Sequence, residues 1–231
     1  TIPYVSTEQI SYLSNVILSE TQMLLPLTAF CAGLLAAAAM FGYLYTPRGA
    51  GLAASLPIKR GCMFRTHLLA GLAMLLSAEV VVFGLAVLIE AGRFTLVIEP
   101  LLTWLGILAL ETVVFYGIAV LCAMFTGHVV MLPCLYLLVN FIAVGFQVLI
   151  ESVLYTFVYG MSGMMDLPVD WLSPLVLFMR RTSVGHADLV RPISGTEAEV
   201  AISNFSGWTY PLVWAAFALL LGTAAMLAAH F

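Results

Sequence analysis

Runs of more than twenty almost uninterrupted apolar residues leave this chain few ways to fold. They extend from about Gln22 to Tyr45, Thr66 to Glu90, Leu101 to Phe125 and Val129 to Met165, and from about Gly207 to the end. About 20 apolar residues in helical form cross the hydrocarbon core of a bilayer, and a soluble core of this size has no use for five such runs. Of the 231 residues 63% are hydrophobic and 9% charged, against roughly a quarter charged in a soluble domain. The expected fold is all-α, a polytopic membrane helix bundle of about five spans within a single transmembrane domain, 1–231. In a bilayer every backbone polar group must be paired inside its own segment, which favours helices here.

Orientation comes from Tyr43 to Gly71. This stretch holds Arg48, Lys59, Arg60 and Arg65, half of the eight Lys and Arg, and no Asp or Glu. Basic residues in short loops stay on the cytoplasmic side, so this is read as a cytoplasmic loop. Ten of the twelve acids then fall in outer segments, and the remaining two, Glu79 and Glu111, lie inside spans. A net charge of −4 with no basic face outside this loop argues against a nucleic-acid partner. The four cysteines lie in apolar runs or the basic loop, so no disulfide framework is indicated.

Local chemistry divides the chain further. Residues 4–20 carry Ile10, Leu13 and Ile17 at helical spacing among polar residues, and read as an interfacial helix or loop outside the membrane. Pro26 is expected in the first turn of the first span. In the loop, Thr46 is a candidate N-cap and Pro47 a first helical residue, so a short helix is expected over 47–55, ending ahead of Pro57. The 37 residues from Val129 to Met165 would make roughly 55 Å of helix, too much for one straight crossing. Glu151 and the small residues Gly160, Ser162 and Gly163 suggest a break, followed by a short piece dipping back from outside. Trp171 to Met179 is again too short to span and reads as a second re-entrant or interfacial helix. Residues 152–206 are thus taken together as an outer re-entrant or interfacial segment. Trp208, Tyr210 and Trp214 form an expected aromatic belt at the entry to the last span.

Ser55-Leu56-Pro57-Ile58-Lys59-Arg60, followed by Leu69-Ala70-Gly71-Leu72, resembles the "SLPIKRE…GL" signature of bacterial ATP-binding cassette (ABC) transporter permeases of the type-2 exporter fold. Span order and the "LSP" of Leu172-Ser173-Pro174 extend the resemblance over most of the chain. Gly61 stands where that family usually carries an acid. The resemblance implies that 46–60 is a cytoplasmic coupling helix docking on an ATPase subunit, through Arg48, Leu56, Pro57, Ile58, Lys59, Arg60 and Arg65. It implies a second permease subunit in a homo- or heterodimer, and a multi-pass protein of the bacterial cell membrane. It also implies six spans in the full subunit, with one helix preceding Thr1 and a basic segment following Phe231. The plainer reading of the loop is a topology anchor without a partner.

No ATP chemistry is expected in the chain itself. A phosphate loop ends in Gly-Lys-Ser/Thr, and the single lysine, Lys59, follows Pro57-Ile58. The chain is therefore read as a transport subunit rather than an enzyme, with ATP and Mg held by the partner and no cofactor of its own.

Glu79 lies 13 residues from Thr66 and Glu111 14 from Phe125, so on antiparallel neighbours both sit about 20 Å from the cytoplasmic ends. Carboxyl groups at that depth are rare and face a bundle interior or cavity. One reading makes them the lining of a substrate path favouring a cationic or proton-coupled cargo. The other makes them protonated groups hydrogen-bonded to Ser77, Thr112 or Tyr116. Cys62, His67, Cys122, His128 and Cys134 cluster near the cytoplasmic ends, but their spacing matches no metal pattern. Gly160-Met161-Ser162-Gly163 reads GxSG, the nucleophile motif of rhomboid intramembrane proteases, with His230 as a conceivable base; an intramembrane enzyme is the alternative function. A channel-like or structural membrane subunit is a third. Gly33, Ala36 to Ala39 and Gly42, like Gly222, Ala224 and Ala225, fit close helix packing in lipid.

Overall fold

Long runs of apolar helix formers produce long helices, and helices are the only regular elements among the described residues. The computed structural model describes residues 7–55, 57–92, 98–157, 172–181 and 212–217. In chain order the elements are α1 (Thr7–Phe41), a 3-10 turn (Gly42–Tyr45), α2 (Pro47–Ser55), α3 (Arg60–Gly92), α4 (Ile98–Phe125), α5 (Met131–Phe157) and α6 (Pro174–Arg181). Among the described residues four segments are long and apolar enough to cross a membrane: Leu24–Tyr45, Arg60–Ile89, Leu101–Phe125 and Met131–Phe157. The Leu56 position, the GxSG motif at 160–163, the polar stretch 182–206, His230 and all of the last apolar run but 212–217 lie outside the described residues.

Several boundaries differ from expectation. Residues 7–21 continue into the first span as one helix of 35 residues, about 52 Å long. The polarity change near Glu20 governs where a helix meets water, but it does not break one. Pro26 therefore sits well inside α1, where it removes one backbone hydrogen bond. α3 starts at Arg60, six residues before Thr66, because nothing after Pro57 stops a helix; Cys62 N and Met63 N both donate to Lys59 O. α5 passes through Glu151 without a break and reaches Phe157, with Gln147 Nε2 donating to Glu151 Oε1 at 2.9 Å. Pro133 falls in its first turn, where a missing N–H is tolerated.

α1 packs most closely on α4, which also contacts α3 and α5. Both helices of this central pair run toward the basic loop, so the closest partners are parallel rather than consecutive antiparallel spans. Small residues permit the approach. Ala29, Gly33, Ala36 and Ala37 are buried on α1, and Ala119 and Ala123 on α4. A Cβ on Gly33 would stand 2.9 Å from Tyr116 N and 3.0 Å from Phe115 C, against main chain that cannot swing aside. Packing, rather than solvent exclusion, joins helices in lipid, and small residues bring backbones together for it.

Aromatic side chains fill the space around this contact. Phe30 stacks on Tyr136 with centroids 4.6 Å apart and meets Phe115 edge-on at 5.7 Å. Tyr136 Oη donates to Phe30 O at 3.1 Å, tying α5 to α1. α6 is enclosed by the same core: Leu175, Leu177 and Phe178 are buried, and Phe178 meets Phe115 at 5.6 Å. The buried Ser173 at its start accepts a hydrogen bond from Val144 N of α5 at 3.3 Å. Trp214, in the helical piece at 212–217, packs against the core with Nε1 buried. α3 is the peripheral span, with Leu69, Val80 to Val82, Leu85, Leu88 and Ile89 exposed, as suits side chains facing lipid.

Candidate functional site

Two sets of residues carry chemistry, one at the basic end and one halfway along the helices.

At the basic end, the 3-10 turn passes into an extended Thr46 (φ −108°, ψ 128°), which redirects the chain into α2. Thr46 holds the N-cap position through its backbone, Ala50 N donating to Thr46 O at 2.9 Å, while its hydroxyl donates back to Tyr43 O at 3.3 Å. Gly49 is needed here because a Cβ would stand 2.6 Å from Thr46 Oγ1 and 2.7 Å from Tyr43 O. α2 ends at Ser55, whose hydroxyl donates to Leu52 O at 2.8 Å, and Pro57 follows. The resulting surface mixes charge with apolar side chains. Arg48, Pro57, Lys59, Arg60 and Arg65 are exposed, and so are Leu52 (70%) and Ile58 (51%). Arg60 and Arg65 belong to α3 rather than to a loop, and Arg65 Nε donates to Gly61 O at 3.2 Å.

This elbow is fastened to the bundle on two sides. Tyr45 Oη donates to Ala123 O at 3.1 Å and lies 3.2 Å from Thr126 Oγ1, at the end of α4. The Tyr43 ring packs on His67 of α3 at 5.0 Å, and Phe41 packs on Phe64 at 5.6 Å. His67 Nδ1 donates to Met63 O at 2.8 Å. One turn further along α3, Tyr116 Oη of α4 donates to the carbonyls of Leu68 (3.3 Å) and His67 (3.4 Å) in the notch left by Gly71. No residue of the sequence motif marked Tyr45 or Tyr116 as part of this arrangement. The signal available was Gly71, whose missing side chain requires a partner to fill the space.

Halfway along the helices, Thr112 Oγ1 donates to Glu79 Oε1 at 2.5 Å, joining α4 to α3 and putting Glu79 level with the Glu111–Thr112 step. Counting along antiparallel helices leads to the same level. Of the three expected partners only Thr112 is used: Ser77 Oγ donates to Met74 O within its own helix, and Tyr116 serves the Gly71 notch. Glu79 is half-buried, whereas Glu111 is 0% exposed. Among the described residues Glu79 Oε2 and both carboxyl oxygens of Glu111 have no hydrogen-bond partner. A second polar group missed by sequence reasoning is Asn140 on α5, fully buried, with Nδ2 donating to Tyr136 O at 2.9 Å and Oδ1 unpaired among the described residues.

The cysteines and histidines do not converge: no three His, Cys, Asp or Glu among the described residues are placed to hold one metal ion. His128 instead closes the α4–α5 turn, its Nδ1 accepting from Val130 N at 3.2 Å. Comparison with known proteins adds no assignment. No family model, curated protein or solved structure matches this chain. Its function must therefore be argued from its own residues.

Proposed function

We propose that this chain is the membrane-spanning subunit of an ATP-driven exporter of the ABC type, and that 46–60 receives a cytoplasmic ATPase subunit. The observation carrying this reading is the elbow at the basic end. A nine-residue helix outside the apolar spans displays Leu52, and with Ile58 and four cations makes an amphipathic surface without an acid between Tyr43 and Gly71. A topology anchor needs only the charge. Exposed apolar side chains set among the cations fit a protein partner instead, where an apolar centre is rimmed by charge.

In this proposal ATP binding and hydrolysis occur on the partner, and the chain works with a second permease subunit in the bacterial cell membrane. The fastening of the elbow supplies a route for force. A push on α2 is delivered through Tyr45 to the end of α4 and through Tyr43 to His67 on α3, so these spans move with it. Five spans in this chain complete the proposed architecture.

Reversing the three cations with K59E, R60E and R65E together tests the docking surface. Recovery of an ATPase subunit with the purified chain should fall by about tenfold or more, since each reversal replaces attraction by repulsion. Thermal unfolding should stay close to wild type, because the three side chains are exposed. Undiminished recovery of the ATPase would remove these residues from the contact.

A further inference from the structure

Glu111 presents a problem that the packing of the helices does not solve. It is completely buried in the middle of α4, and among the described residues no donor reaches either of its oxygens. Glu79, by contrast, has one carboxyl oxygen engaged by the hydroxyl of Thr112. The described cations of known side-chain position, Arg48, Lys59, Arg60 and Arg65, all lie at the basic end. Arg65 is 14 residues from Glu79 on the same helix, about 21 Å away. An ionised carboxyl group in a low-dielectric interior is stabilised by a positive charge brought beside it.

The surroundings indicate how such a charge would arrive. α3 presents Val80, Val81 and Val82 outward, and Glu79 stands half-exposed at the seam with α4. Thr112 and Glu111 lie behind it, 1% and 0% exposed. Carboxyl chemistry therefore grades from the lipid-facing side of α3 into the bundle. A hydrophilic ion has no stable position on such an apolar face, whereas an apolar body carrying a cation can dissolve in the bilayer and present its charged group there.

We propose that Glu111, with the Glu79–Thr112 pair beside it, is a mid-membrane recognition site for the charged group of an amphiphilic monovalent cation. Taken with the exporter reading, on which this step rests for its biological sense, the cargo is a membrane-partitioning cation. Glu79 meets it first at the α3–α4 seam, and Glu111 receives it in the interior.

Binding to the full chain in phosphatidylcholine nanodiscs tests the site without an ATPase. Tetraphenylphosphonium is the probe, and triphenylphosphine oxide, of similar shape and without net charge, is the comparison. The cation should bind saturably and the neutral compound should not. E111Q should weaken cation binding by about tenfold or more, and E79Q by several-fold, in line with loss of a desolvated charge contact. If E111Q fails to fold, E111D keeps the charge while withdrawing it by one methylene, and should weaken binding while remaining folded. Equal cation affinity in a folded E111Q, or in E111D where that is the variant used, would overturn the proposal, as would absence of saturable binding to wild type. Recovery of the ATPase subunit with the same variants separates the two readings. Unchanged affinity with the ATPase retained removes the site alone, and selective binding with no ATPase partner removes the exporter reading alone.

Discussion

Replacing Gly33 by leucine should cost the bundle about 3 kcal/mol or more and lower its thermal midpoint well below that of any exposed substitution. The magnitude follows from what the new side chain meets. Even the first carbon would stand 2.9–3.0 Å from the main chain of Tyr116 and Phe115, so α1 and α4 must part along their length. That separation also opens the Phe30–Phe115 contact and withdraws Phe30 O from Tyr136 Oη, so α5 loosens too. Gly84 on α3 is the control, because a Cβ there meets nothing within 4 Å. G84A should be neutral or stabilising by up to about 1 kcal/mol through helix propensity. Unfolding of both variants in mixed detergent micelles, followed by circular dichroism, measures the difference. Equal stability of G33L and G84A would mean that α1 and α4 are not in contact at this point.

The second large effect is expected at Gly71, where a methyl group would run into Tyr116 Oη and stand 2.7 Å from Tyr116 Cζ and 3.1 Å from Met40 Cγ. G71A should cost about 1–3 kcal/mol by overpacking. Y116F alone should cost about 0.5–1.5 kcal/mol through loss of the bonds to the His67 and Leu68 carbonyls. The two should not add. The phenolic oxygen is the atom the new methyl group strikes, so G71A with Y116F should be more stable than the sum of the single changes allows, by about 0.5 kcal/mol or more. A functional consequence accompanies the structural one. Since this notch holds α3 beneath the elbow, the exporter proposal further predicts that G71A reduces recovery of an ATPase subunit and that adding Y116F partly restores it. Strict additivity in the double-mutant cycle would show that the notch does not hold the tyrosine.

Punctuation residues made some of this architecture legible in the amino-acid sequence. Pro47 and Pro57 bracket α2, whose range Pro47–Ser55 is the one expected from them, and long apolar runs match the four segments able to cross a membrane among the described residues. The level shared by Glu79 and Glu111 also follows from counting, because helical rise converts sequence distance to depth. Pairing between helices was not legible. Consecutive spans are natural neighbours in a bundle, yet the closest approach is between α1 and α4, since the Gly33 notch matches a stretch of main chain about eighty residues away. Continuity of α1 through Glu20 was missed because polarity was treated as a boundary where no residue breaks the helix. Tyr116 was expected beside the carboxyl groups rather than in the Gly71 notch, and the place of Tyr45 was not legible, for a related reason: each bonds a distant main-chain carbonyl, and carbonyls carry no side-chain signature.

Affinity purification of the chain from its native membrane, with identification of whatever remains bound, tests the central claim most directly. The account predicts an ATP-binding cassette subunit that stays with the wild-type chain, is lost on combined reversal of Lys59, Arg60 and Arg65, and hydrolyses ATP in the recovered complex. An active purified chain that retains no ATP-binding partner would contradict it and bring the intramembrane enzyme to the front.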